Sequence, residues 1–221
     1  MRTQRRAAVP AKRAAGWWLL AYRVPSHRSA YRVGVWRDLK RLGALYLQQS
    51  VCVLPRLGAT HAELEKVRNK IDEMGGSANL LALPKQDPAQ QTRLIQGFRN
   101  LASEQYKKIA EECEKTVIAE IDVEILRKRF TLAEIEELEQ NLDKIRRWHA
   151  AVRERDWFDA PGRRLVEATI AQASRKLPAY VVRVHRILNT GRPAGEEGRS
   201  SATPSRGATL RTGARAGARD R

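Results

Sequence analysis

Between Leu132 and Val152 seven large apolar residues, Leu132, Ile135, Leu138, Leu142, Ile145, Trp148 and Val152, step by 3, 3, 4, 3, 3 and 4. This is the strongest periodicity in the chain, and it places all seven on one face of an α-helix whose apolar stripe must be covered. Thr131 and Glu134 form a capping box at its start. Glu136, Glu137 and Glu139 near that start, and Arg146, Arg147 and Arg153 near the far end, complement the helix dipole. Two coverings fit the stripe: a neighbouring helix in an antiparallel hairpin, or a second copy in a dimeric coiled coil. These seven residues are therefore the candidate interaction stripe, and a homodimer is the partner they suggest.

Upstream, Leu94, Phe98, Leu101, Ile109, Cys113, Val117, Ile121 and Ile125 recur at spacings of three, four and eight, as in one long helix. Val117, Ala119, Ile121, Val123 and Ile125 also alternate as a strand would. The surrounding charged residues are good helix formers, and no turn signal interrupts the run, so helix is preferred. Downstream, Asp159-Ala160-Pro161-Gly162 punctuates before a further helix with Leu165, Val166, Thr169, Ile170 and Ala173 inward and Pro178 as its stop.

The first third reads differently. Trp17-Trp18-Leu19-Leu20-Ala21-Tyr22-Arg23-Val24 is a short aromatic and β-branched run closed by Pro25, as in a buried strand. Tyr31, Val35, Leu39 and Leu42 then recur at helical spacing up to Gly43. Residues 44–54 return to strand character, interrupted by Gln48-Gln49-Ser50, where a hairpin would divide them. Thr60 and Glu63 form a capping box for a helix carrying Leu64, Val67 and Ile71 and ending at Gly75-Gly76; residues 77–83 are a last strand before Pro84. The order β-α-β-β-α-β within about seventy residues is that of a ferredoxin-like unit. The expected architecture is α+β: a basic disordered extension over 1–16, a ferredoxin-like domain over 17–84, a helical domain over 89–188 with a helical hairpin and a further helix, and a disordered Arg/Gly/Ala-rich tail over 189–221.

Charge separates these parts. The chain of 221 residues carries a formal +17, of which residues 1–16 hold five Lys/Arg and no acid. Residues 17–60 carry Arg23, Arg28, Arg32, Arg37, Lys40, Arg41 and Arg56 against Asp38 alone, whereas 61–189 is nearly balanced. Such a footprint suits a protein that meets phosphates or another anion, and equally a solubilising surface. Guanidinium groups bind oxyanions in a bidentate fashion, and Trp17, Trp18, Trp36, Tyr22, Tyr31 and Tyr46 lie in the same third, where aromatic faces can stack on bases. Trp17, Trp18 and Tyr46 read better as core. Arg23, Arg28, Arg32, Arg37, Lys40 and Arg41 are the candidate nucleic-acid or oxyanion-binding residues, with a nucleic acid or an oxyanion as the implied partner.

Other classes find no support. No apolar run approaches the ~20 residues of a membrane span, and the two cysteines cannot build a disulfide framework, so a reducing cytoplasm is expected. His27, His61, His149 and His185 are scattered. No phosphate loop, nucleophile elbow or metal-ligand spacing appears, so no catalytic residue, metal site or cofactor is assigned. Cys52 reads as a buried small hydrophobe, and Cys113, flanked by Glu111, Glu112 and Glu114, as a thiol kept protonated by like charge.

Several segments resemble one family. Trp17 to Pro25, Val35-Trp36-Arg37-Asp38-Leu39-Lys40-Arg41-Leu42-Gly43-Ala44 and Gln48 to Pro55 are similar to the N-terminal domain of the chromate-resistance regulator ChrB family. Phe130 to Glu134, Lys144-Ile145-Arg146-Arg147-Trp148 and Arg153 to Gly162 continue the likeness in the same order to about residue 177. The resemblance implies a bacterial cytoplasmic protein of chromate resistance, a DNA-binding transcriptional regulator, and it favours helix over 117–125. A more distant similarity links the first seventy residues to the ferredoxin-like domains of the phenylacetate-degradation repressor PaaX and of the CRISPR-adaptation nucleases. The nuclease's metal-binding aspartate does not carry over, because Arg23 stands near its place and no carboxylate precedes Asp38. Full-length ChrB proteins have a further C-terminal domain, where this chain has an Arg/Gly/Ala/Ser tail from about residue 178; a truncated or frame-shifted member is the expectation.

Overall fold

The computed structural model describes residues 14–25, 29–128 and 130–190. The first half is β1 (Gly16–Arg23), α1 (Ser29–Arg41), β2 (Leu45–Gln48), β3 (Val51–Pro55), α2 (Thr60–Glu73) and β4 (Ser77–Pro84). The strands form one sheet in the order β2-β3-β1-β4 with every pair antiparallel, which is the ferredoxin-like α+β arrangement. The polar triplet within 44–54 makes the hairpin: Ser50 takes a left-handed φ of +63°, and the ladder slips between Tyr46 and Gln48.

Strand alternation assigns the two faces of the sheet. Leu20, Cys52 and Leu54 point toward α1 and α2, where they meet Val35, Leu39, Leu64, Val67 and Ile71. Trp17 and Val53 point the other way and meet Phe98 and Phe158. Because both faces are covered, β1 is apolar at nearly every position rather than at every second one.

The covering element on the second face is α3 (Pro88–Cys113). Asp87 caps it by accepting hydrogen bonds from the Ala89 and Gln90 amides at 3.0 Å, and Pro88 supplies the first turn. The helix runs on through a π turn (Glu114–Ile118) into α4 (Ala119–Arg127). Ile109, Cys113, Val117 and Ile121 are all buried at intervals of four, which over-rotates a 3.6-residue helix; the wider turn absorbs part of that drift. Asn141 Nδ2 and Lys176 Nζ donate to the Thr116 and Ile118 carbonyls in this turn. The helical reading of 117–125 therefore holds.

Helices α5 (Leu132–Glu154) and α6 (Gly162–Thr190) complete a bundle with α3. Thr131 caps α5 by accepting from the Glu134 amide at 3.2 Å. The bundle core includes Tyr106, Ile109, Ile121, Leu138, Ile145, Val166, Ala173, Tyr180 and Val184. Gly162 allows α6 to approach α3 closely, since a Cβ there would lie 2.9 Å from Ser103 Cα.

Three local expectations are corrected. Thr60 is not a cap: it is the first residue of α2, buried, with its hydroxyl donating to the Pro55 and Leu57 carbonyls, while Ala59 holds the cap position without a side-chain bond. Pro178 does not stop α6. The helix continues to Thr190 because burial of Leu177, Tyr180 and Val184 outweighs a proline penalty of about 3 kcal/mol. Apolar periodicity thus extends past residue 178, where the tail was expected to begin. Leu165 points outward, not inward; Val166 and Thr169 carry that face. Of the disorder expected over 1–16 and 189–221, residues 1–13 and 191–221 lie outside the described residues, whereas Gly16 opens β1 and α6 takes in Asn189 and Thr190.

Candidate nucleic-acid and oxyanion interface

The basic third of the chain converges on one open cleft of about 630 Å³. The end of β1 contributes Tyr22, Arg23 and Val24, α1 contributes Arg32 and Trp36, and the β2–β3 hairpin contributes Tyr46, Leu47, Gln48, Gln49 and Ser50. Among the described residues no carboxylate lines it. Its two charges are guanidinium groups, and its neutral groups are phenols, amides and a hydroxyl, all able to donate to an anion.

Helix α1 presents this face because Val35 and Leu39 are turned into the sheet. Arg32, Trp36 and Lys40 then follow at intervals of four along the outer side. Lys40 Nζ sits 4.4 Å from the centre of the Trp36 ring, which is 45% exposed. At the back of the cleft the Tyr22 and Tyr46 hydroxyls hydrogen-bond at 3.1 Å. Burial pushes both phenols upward, so both remain protonated. The hairpin tip is tied to β1 by the Tyr22 amide, which donates to the Ser50 carbonyl at 2.9 Å.

Of the six basic residues selected from sequence, Arg23 and Arg32 line the cleft, and Lys40 reaches Trp36 beside it. Arg37 is exposed one position along from Trp36. Arg23, Arg32 and Arg37 make no ion pair among the described residues. Arg41 is paired with Asp38, which also accepts from Lys70 Nζ at 2.6 Å, so its charge is largely answered within the fold. Arg28 lies outside the described residues. Sequence reasoning passed over Gln48, Gln49 and Ser50, which it used only as a turn signal, and it assigned Tyr46 to the core when the residue is half-buried at the cleft wall. Trp17 is core as expected, fully buried. Trp18 is half-buried, beneath the Arg56 guanidinium at 4.8 Å.

The helical stripe has a different location. Ile135, Leu138, Leu142, Ile145 and Val152 are buried within the chain's own bundle, Trp148 packs at its margin, and Leu132 is exposed. The two thiols are also interior. Burial pushes Cys52 up to about 12 and Cys113 up to about 11, the latter helped by the Glu114 carboxylate. Among the described residues no three His, Cys, Asp or Glu side chains gather as metal ligands, and no helix is long and apolar enough to cross a membrane.

The family described as Protein ChrB, N-terminal, matches residues 32–191. Protein ChrB of Cupriavidus metallidurans is 26% identical over 195 residues, covering 86% of this chain and 53% of the relative. The chain thus spans about half the length of that curated relative. No solved structure gives a significant match. Because the family match takes in most of the chain, from the first turn of α1 to the end of α6, the chain belongs to the ChrB N-terminal family.

Proposed function

We propose that this chain is a regulatory protein associated with chromate resistance that binds DNA through α1 and the adjoining cleft. The observation that carries the reading is a set of guanidinium groups, Arg23, Arg32 and Arg37, with no ion pair among the described residues, beside a cleft that no described carboxylate lines and that has an exposed indole. Kinship with ChrB supports the link to chromate. In this reading Arg37 and Lys40 contact phosphates outside the cleft. Arg23 and Arg32 hold an oxygen-rich anion within it, and Gln48 and Gln49 supply neutral donors. A tetrahedral dianion such as chromate then competes with a phosphate for the same guanidinium pair. The reading assigns no catalytic step.

The test is equilibrium binding of the full chain to the DNA upstream of its own gene and to unrelated DNA, across salt, with and without chromate. Preferential upstream binding that weakens steeply with salt and is released by chromate is the expected result. Binding that is absent at low salt would instead favour a protein–protein module, for which neutralising Arg32 and Arg37 has little effect.

A further inference from the structure

The two edges of the sheet are built differently. Strand β2 has four residues, and a register shift interrupts its pairing with β3, both of which blunt an edge against further pairing. Strand β4 has eight residues in unbroken register with β1, from Gly16 opposite Pro84 to Arg23 opposite Ser77. Among the described residues it pairs with β1 alone. Its sequence, Ser-Ala-Asn-Leu-Leu-Ala-Leu-Pro, carries no charge, in a chain of formal +17. None of the usual protections, an inward lysine, a bulge or shortness, is present before Pro84.

The side chains on this edge are also unfinished. Leu81 lies opposite Leu19 on the face that α3 covers, yet it is 50% exposed while its neighbour Leu83 packs into the core. Opposite charges stand at the two ends of the strand. Asp72 and Glu73 end α2 shortly before Ser77, and Lys85 follows Pro84; all three are exposed and none makes an ion pair among the described residues.

We infer that the β4 edge is a self-association surface, and that its occupant is the β4 of a second copy of this chain, antiparallel about a two-fold axis near Leu81. Such an arrangement extends the sheet through eight strands and gives the outward amides and carbonyls of β4 their partners. It brings the two Leu81 side chains together, and it places Lys85 of each copy beside Asp72 and Glu73 of the other. A parallel partner would set Lys85 against Lys85. The charge pattern therefore selects the antiparallel copy. The inference rests on the sheet and is independent of the DNA-binding reading.

Sedimentation velocity of the full chain over a dilution series tests it, with Leu81→Lys, Leu81→Glu, their equimolar mixture and Lys85→Glu. The native chain is expected to be a dimer and each Leu81 variant a monomer, with the mixture recovering the dimer because Lys then faces Glu across the axis. Lys85→Glu is expected to weaken association roughly three- to tenfold, as for loss of exposed ion pairs. A native chain monomeric throughout, or Leu81 variants that remain dimeric, overturns the inference; so does a mixture of folded variants that stays monomeric. If circular dichroism shows the Leu81 variants unfolded, Lys85→Glu decides alone, and an undiminished dimer overturns it.

Discussion

Trp17 of β1 donates its indole Nε1–H to Gln91 Oε1 of α3 at 2.9 Å, with both side chains buried. This bond joins the sheet to the long helix at the point where Trp17 also stacks on Phe98, with ring centres 5.7 Å apart. The indole could occupy an apolar interior only with its N–H satisfied, so Gln91 is buried for a reason that its own helix does not supply.

Gln91→Leu keeps the volume and removes the acceptor, leaving a buried donor without a partner. A loss of about 1–3 kcal/mol is expected. Urea unfolding of the variant and the native chain measures it.

Gly43 and Gly75 follow α1 and α2, with φ of +72° and +75°. At Gly75 a Cβ would meet nothing within 4 Å, whereas at Gly43 it would lie 2.8 Å from Arg155 Cβ and 3.0 Å from Trp157 Nε1. Gly75→Ala is expected to cost only the left-handed backbone term of about 1–2 kcal/mol. Gly43→Ala is expected to cost clearly more, since it also separates α1 from the loop in which Trp157 Nε1 donates to the Leu42 carbonyl at 3.2 Å. The difference between the two melting temperatures isolates that contact.

If α1 reads phosphates, Arg32→Ala and Arg37→Ala each reduce the slope of log K against log salt by roughly 1. Lys66→Ala is the control, because that lysine lies on α2 and is already paired with Glu63 at 2.8 Å. Fluorescence anisotropy with one labelled duplex at several salt concentrations measures all three. Equal slopes for all three variants and the native chain would remove α1 from the interface.

His149 Nε2 is buried without a hydrogen-bond partner among the described residues, 4.0 Å from Glu167 Oε1, and burial holds its pKa below the ordinary value against the pull of Glu167. Arg153 and Arg163 add to the depression, and the ring rests on Tyr106 at 5.8 Å. A histidine whose folded pKa is depressed contributes stability above its unfolded value near 6.5, and that stability is lost as the pH falls below it. His149→Gln is expected to lessen the loss of stability as the pH falls below about 6.5, read as the change in urea midpoint with pH.

Local patterns determined much of this protein from sequence alone. The 3-3-4 stripe of α5, the polar break at Gln48-Gln49-Ser50 and the glycines after α1 and α2 act through periodicity and backbone preference, which neighbouring residues are enough to express. What depended on distant packing was decided only in three dimensions. Thr60 is no cap, because the carbonyls of Pro55 and Leu57 take its hydroxyl. Pro178 lies within a helix, because the bundle buries the residues around it. The alternation of β1 separates Trp17 from Trp18, but only the arrival of α3 on the second face makes one the fully buried anchor between layers and leaves the other half-buried under Arg56. The candidate site shows the same division. A basic third was visible as composition, yet no spacing relates Arg23, Arg32 and Gln48. They share a cleft because antiparallel pairing carries the hairpin tip back to the end of β1, and because Val35 and Leu39, by turning inward, turn Arg32 and Trp36 toward it.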